Sequence, residues 1–475
     1  MKILLALVLL YTANQRVSCF VFLDYVSGKW NEVAHTVATT FNDLKNKVKN
    51  FFFNKIIYSE TPKAVAPVER TKKDFRKNPL EVLKEAEIKR PDYADVNSDP
   101  SILMSTPQLA ILHGKRIESH VVHTRDGYLL TLHRVMRVLQ SRDDVNKTVF
   151  LHHGLLGSSA DWILLGSENS LPYMLSNTGY DVWMGNARGN SYSKAHTSYK
   201  VDSHEYWNFT WEEIGEHDVP ASIEYIRSIK NTTEPINFIG HSMGATALLV
   251  LLSSLPRYNH YFRIGILLAP LAFMSNVDGP IKKLGSVAFS PSDQLVELLG
   301  KDDFFPERIV PEWLAVKYCR GPIIYCSNPL FFLSGSIPKY EGWNASFVAR
   351  LLYHIPAGTS TKLIMHYAQV SNSGKFHRYG NKDSEFSLGN VTVPIAIISS
   401  SEDRLATVGD VLKLYFNIAS PIDNYVIRNK NMDHSDMVWG SEAHDQVFNK
   451  VMEYLEDGSS FKSTKTNEVI SGDLL

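Results

Sequence analysis

Three kinds of feature are scarce in this chain: cysteine, net charge and long apolar runs. With 49 basic and 50 acidic residues among 475, the formal net charge is −1. Nucleic-acid binders carry a basic excess, so charge makes no case for such a partner. The 17 histidines are neutral in that count, and the chain turns positive in acid. No stretch approaches the ~20 apolar residues of a membrane-spanning helix. No cluster of His, Cys, Asp and Glu has metal-ligand spacing, and no Gly-rich dinucleotide fingerprint is present. Neither a metal nor another cofactor is therefore expected.

Only three cysteines are present, and their placement matters. Lys2 followed by an apolar run at 3–11 reads as a secretory signal peptide spanning 1–19. Cleavage after Cys19 puts Val17 and Cys19 at the positions that want small residues. Export would leave Cys319 and Cys326 as a pair in an oxidising compartment, where a disulfide is expected. Closing so short a loop stabilises by about 2–3 kcal/mol in the chain-entropy model. Five glycosylation sequons point the same way, at Asn146, Asn208, Asn231, Asn344 and Asn390. Secretion is the expected destination, with the lysosome as the alternative.

Hydrophobic content of 44% and charged content of 21% are ordinary for a folded protein. Residues 20–95 form an N-terminal extension. Trp30, Val33, Val37, Phe41, Leu44, Val48 and Phe51 recur at helical spacing, with Lys45, Lys47, Lys49 and Lys55 between them. A surface helix, a propeptide and a lipid-interface helix all fit that pattern. A charged, Pro-containing linker follows at 62–92.

From about 96 the pattern becomes strands alternating with helices. Alternation over 118–133, broken at Asp126-Gly127, predicts a hairpin. Short β-rich runs are expected at 148–151, 180–184, 235–239, 264–268, 393–399 and 425–428. Helices are expected near 167–178, from 218, over 245–252 and from about 441. Alternating strands and helices predict an α/β fold whose mostly parallel sheet is covered on both faces. Residues 271–390 break the rhythm with scattered aromatics (Phe304, Phe305, Trp313, Phe331, Phe332, Trp343) and several prolines. They read as a mainly helical cap inserted between core segments 96–270 and 391–457. A polar tail follows at 458–475.

The most informative stretch is Gly240-His241-Ser242-Met243-Gly244, between an apolar run and a helix-like run. Strand, sharp turn with glycine on both sides of a Ser, then helix is the layout of a nucleophile elbow. A side chain at either flank would clash across the turn. A Ser hydroxyl also needs a base in hydrogen-bond reach and a carboxylate to orient that base. In an α/β-hydrolase the acid and the base follow the Ser in that order, each after a strand. Asp403 fits as the acid, with Glu402 and Asp410 as rivals. His434 fits as the base, with His366, His377 and His444 as rivals. The oxyanion would be held by the backbone N–H groups of Met243 and of Leu155, the latter following the strand that ends in His152-His153-Gly154. Asn186-Ala187-Arg188-Gly189 reads as structural.

These residues resemble the acid lipase family of gastric and lysosomal lipases and their insect relatives. The resemblance rests on five segments, at 153–156, 179–190, 240–244, 326–331 and 433–436, and covers about 96–455. It implies an α/β-hydrolase fold with a mobile lid over the site. It implies nucleophile Ser242, acid Asp403 and base His434, with oxyanion donors at Leu155 and Met243. The expected substrate is a lipid ester met at a lipid–water interface, triacylglycerol or steryl ester. Activity on small soluble esters or thioesters, and a non-catalytic binding role, are the alternatives. This chain differs from the family pattern in having Met243 where Gln is usual, in a closer cysteine pair and in the 20–95 extension.

Overall fold

The computed structural model describes residues 99–136, 147–291, 293–305, 328–334 and 345–457. Cys19, Cys319, Cys326, Asn146, Asn344, Trp313, Trp343, the signal peptide, the extension and the tail lie outside these residues.

Strands β1 (Ile117–His123) and β2 (Leu129–Val135) pair antiparallel and form the expected hairpin. Gly127 supplies the turn, with φ +100°, a conformation that costs glycine little. Then come β3 (Thr148–His152), β4 (Asp181–Met184), β5 (Ile236–His241) and β6 (Phe262–Leu268). A separate two-stranded hairpin, β7 (His377–Arg378) with β8 (Asn381–Glu385), precedes β9 (Ile395–Ser400) and β10 (Pro421–Ile427). The main sheet has eight strands in the order β1-β2-β4-β3-β5-β6-β9-β10. From β4 to β10 every neighbouring pair is parallel.

Burial follows from that order. β3, β4, β5 and β9 are buried at every position, as a parallel sheet covered on both faces requires. The edge strands β1 and β10 are half-exposed along most of their length. The helix Met243–Ser254 is apolar all round, and all but its last residue are buried. Burying each of its leucines stabilises by about 1.5–3 kcal/mol. Gly215 lets the preceding helical run approach it closely, since a Cβ there would lie 2.7 Å from the Ala247 carbonyl oxygen.

Several boundaries differ from the sequence reading. The helix expected near 167–178 is two pieces, Gly166–Asn169 and Leu171–Asn177. Pro172 has no N–H to continue a helix, and the Ser170 hydroxyl instead donates to the Gly166 carbonyl at 2.6 Å. The strand expected from 393 starts at Ile395, after Pro394. Between β6 and β9 the described residues hold helices at Pro280–Gly285, Asp293–Leu299, Pro329–Ser334, Ala345–His354 and Thr361–Ser373, plus the β7–β8 hairpin.

Topology places the site. β3 is flanked by β4 on one side and β5 on the other, so the chain order reverses there. The loops leaving the carboxyl ends of β3 and β5 therefore diverge and open a crevice, the usual binding place in an open α/β sheet. Those loops carry His153-Gly154-Leu155 and Ser242.

Candidate active site

Ser242 joins β5 to the helix Met243–Ser254 with φ 52° and ψ −111°. For a residue with a Cβ this costs on the order of 1–3 kcal/mol and persists only when neighbours enforce it. The Ser242 N–H donates to the Leu268 carbonyl at 2.8 Å, and its carbonyl accepts from the Thr246 N–H at 3.1 Å. The flanking glycines do two different jobs. A Cβ on Gly240 would lie 2.6 Å from the Ala245 nitrogen, across the turn as expected. A Cβ on Gly244 would instead lie 2.3 Å from the His152 carbonyl oxygen, on β3.

Asp403 lies in the turn after β9 and His434 in the loop after β10. One Asp403 oxygen accepts the Leu405 and Ala406 N–H groups, each at 2.8 Å. The other faces His434 Nδ1 at 2.7 Å. A carboxylate bound this way accepts, so Nδ1 carries the proton. Nε2 is then free to accept from the Ser242 hydroxyl, 2.9 Å away. The three residues are buried, with relative exposures of 2% for Ser242 and 4% for both Asp403 and His434. Burial opposes protonation of His434, but the adjacent Asp403 carboxylate outweighs it and holds the pKa above the ordinary histidine value.

The histidine loop is braced from both ends. His241 Nε2–H donates to the His434 carbonyl at 3.1 Å. The Ser400 hydroxyl donates to the Met432 carbonyl at 2.5 Å, and the Asp433 carboxylate accepts the Ser435 N–H at 2.9 Å. Burial drives the His241 pKa down to about 3, so this neighbour stays neutral beside His434.

Across the crevice, a Cβ on Gly154 would lie 2.8 Å from His241 Nδ1 and 3.3 Å from Ser242 Cβ. That close approach brings the following peptide, with Leu155, next to the Ser. Neither the Leu155 N–H nor the Met243 N–H meets an acceptor among the described residues. The Met243 side chain is buried in the core. The Leu156 carbonyl accepts the Ala357 N–H at 2.6 Å, which ties this loop to the segment between β6 and β9.

The rival residues are engaged elsewhere. The Asp410 carboxylate receives the Ser275 and Asn276 N–H groups at 3.0 and 2.9 Å, anchoring the chain that leaves β6. Glu402 is exposed, and its carboxylate accepts from the Ser401 hydroxyl. His366 stacks on Trp211 with ring centres 3.7 Å apart and bonds the His377 carbonyl. His377 bonds the Arg378 carbonyl through Nδ1, and His444 contacts Asp445. Asn208 and Asn231 are exposed, whereas Asn390 is half-buried and its side-chain amide donates to the Ser253 carbonyl at 2.9 Å.

Asn186-Ala187-Arg188-Gly189, read from the sequence as structural, meets the His153 loop through Ala187. Arg188 is buried and donates to Asp218 at 2.8 Å and Asp126 at 2.6 Å, with its guanidinium 4.0 Å from the Tyr128 ring centre. Ala187 and Asn190 contact the His153 ring. The available signal was that 153–156 and 186–190 each follow the carboxyl end of a buried strand, β3 and β4, which are neighbours in the sheet.

A family model described as the alpha/beta hydrolase fold matches residues 147–441, and one described as a partial alpha/beta-hydrolase lipase region matches 106–166. Lipase 3 of Drosophila melanogaster is 35% identical over 72% of this chain and 90% of its own length. Gastric triacylglycerol lipase of Rattus norvegicus is 31% identical over 76% of this chain and 93% of its own. Lysosomal acid lipase/cholesteryl ester hydrolase of Homo sapiens is 30% identical over 74% of this chain and 91% of its own. The chain belongs to the α/β-hydrolase family, in the branch of these lipases, and is a carboxylic ester hydrolase.

Proposed function

We propose that this protein hydrolyses the carboxylic esters of neutral lipids through an acyl-enzyme on Ser242. The observation that carries this reading is the unbroken hydrogen-bond line from Asp403 through His434 to Ser242, at 2.7 and 2.9 Å. Ser242 Oγ attacks the ester carbonyl carbon as His434 Nε2 takes its proton. The carbonyl oxygen becomes an oxyanion held by the Leu155 and Met243 N–H groups, which have no other acceptor among the described residues. Collapse breaks the bond to the alcohol, which leaves with the proton from His434. Water then attacks the acyl-enzyme, passes a proton to His434, and releases the acid as the proton returns to Ser242.

Triacylglycerol and steryl ester are the substrates favoured, because the relatives at 30–31% identity are named for them. Residues 271–390 act as a cap. Its burial makes Ser242 inaccessible to a bulky ester unless the surroundings part, and the Ala357–Leu156 bond is one tie that must yield. Phe304, Phe305, Phe331 and Phe332 are apolar candidates to receive the acyl chain. The protein is secreted or lysosomal in this reading. Among the described residues no helix is long and apolar enough to cross a membrane.

The test is labelling by a fluorophosphonate probe with competition by emulsified triolein, cholesteryl oleate and a short soluble ester. Labelling that Ser242→Ala abolishes, and that emulsified lipid outcompetes, is the expected result. Labelling of Ser242→Ala at the wild-type rate overturns the nucleophile. Competition by the soluble ester alone overturns the lipid assignment.

A further inference from the structure

We infer that His153 is the positioning residue of the oxyanion hole, aiming the Leu155 N–H by holding the opposite end of the same peptide plane. The inference rests on the catalytic reading above and adds a residue to it. A peptide unit is rigid and trans, so the Gly154 carbonyl and the Leu155 N–H lie in one plane and point in opposite directions. Fixing the carbonyl oxygen fixes the N–H.

Two donors fix that oxygen. His153 Nδ1 lies 2.7 Å from the Gly154 oxygen, and the Gly157 N–H donates to it at 3.2 Å. The Nδ1 contact is a hydrogen bond only if Nδ1 carries the proton, and the other ring nitrogen decides this. His153 Nε2 receives the Ala187 N–H at 3.0 Å, and a backbone N–H can only donate. Asn190 Nδ2 approaches the same nitrogen at 3.2 Å. The Asn190 amide orientation is set independently, because its Oδ1 accepts the Tyr192 and Ser193 N–H groups at 3.0 and 3.1 Å. Nε2 is therefore an acceptor, and the proton of a neutral ring sits on Nδ1.

The ring stays neutral. Burial, with His152 and His241 nearby, pushes the His153 pKa down to about 3. A charged ring would put an N–H against the Ala187 N–H and break the arrangement. The segment from Asn186 to Asn190 thus selects a tautomer, and the tautomer orients a catalytic dipole two residues further along the other loop. The Asp403–His434 pair uses the same logic on the base.

The test uses His153→Asn and His153→Gln in the full-length enzyme. Counted in bonds from Cα, the Asn amide nitrogen stands where Nδ1 does and the Gln amide nitrogen where Nε2 does. Asn keeps the donor to Gly154, whereas Gln fills more of the ring's volume but misplaces that donor. The expected result is that Asn retains kcat within about tenfold while Gln loses about 10²–10³-fold, the usual cost of an oxyanion donor. KM for a p-nitrophenyl ester should stay within about threefold in both, and the affinity of a trifluoromethyl ketone should fall in step with kcat. A packing role predicts the reverse order, with Gln equal to or better than Asn, and that order overturns the inference. If His153→Gln does not fold, a loss beyond about 100-fold in His153→Asn at unchanged Tm overturns it, and retention supports it. Wild-type and Ser242→Ala activities run beside them: failure of those two controls counts against the catalytic reading, not against His153.

Discussion

Gly244 stands so close to His152 that a Cβ would lie 2.3 Å from the His152 carbonyl oxygen. The glycine two residues beyond the Ser therefore sets the distance between the elbow and β3, the strand that leads into the loop at 153–155, the proposed oxyanion loop. Gly244→Ala should force the two loops apart. Overpacking of this kind costs about 1–3 kcal/mol, and a displacement near 1 Å can cost about 10²-fold in rate. Thermal melting and kcat together check this. Wild-type kcat in Gly244→Ala would show that the loops absorb the methyl group freely.

Asp403→Asn should lower kcat about 10⁴-fold without unfolding the chain. An Asn amide facing His434 favours the wrong tautomer, with the proton on Nε2, where it opposes the Ser242 hydroxyl. The same contact predicts the pH profile. Catalysis needs neutral His434, whose pKa is held above the ordinary 6.5. The acid limb of kcat/KM should therefore lie above pH 6.5. A limb below pH 6 in the wild-type enzyme contradicts the reading.

Stability should peak at about pH 7. Burial lowers the pKa of His133 and His152 to about 4 and of His153 and His241 to about 3. Below pH 6.5 the unfolded chain takes up protons on these rings that the folded chain refuses. Each then removes up to about 1.4 kcal/mol of stability per pH unit on acidification. Asp161 acts oppositely: burial raises its pKa from 3.8 to about 8, so folding takes up a proton between those values. Acidification from pH 8 toward about 7 is stabilising, and below that the four rings outweigh Asp161. A Tm series from pH 4.5 to 8.5 should show the maximum, and Asp161→Asn should flatten its alkaline side. A Tm rising steadily to pH 8.5 contradicts this.

Arg188→Met should cost about 3–5 kcal/mol by urea unfolding. It leaves the buried Asp218 and the partly buried Asp126 without their cation. Arg188→Lys should recover little, since one ammonium cannot replace the fork that serves both carboxylates. Near-wild-type midpoints for both variants would show that the ions contribute nothing net.

The elements nearest the site were legible in the sequence because their signals are local. Gly240 and Gly244 announce a turn, an apolar run announces each buried strand, and Asp126-Gly127 announces a hairpin. The order of Ser242, Asp403 and His434, each after a strand, was legible for the same reason. What misled was equally local. The run at 167–178 looks like one helix because periodicity outweighs Pro172 when no neighbour is known. The hairpin at 377–385 alternates too weakly to register.

By itself the sequence determined the α/β rhythm, the elbow and the set from which a base and an acid had to come. The sequence favours Asp403 over Asp410, and only the tertiary structure shows what each carboxylate faces: His434 in one case, the Ser275 and Asn276 backbone in the other. Only the tertiary structure gave Gly244 its partner on β3 and joined Ala187 and Asn190 to His153. The physical reason is range. Strand, helix and turn preferences act over a few residues, whereas hydrogen-bond direction and tautomer are set by groups that only sheet pairing brings together.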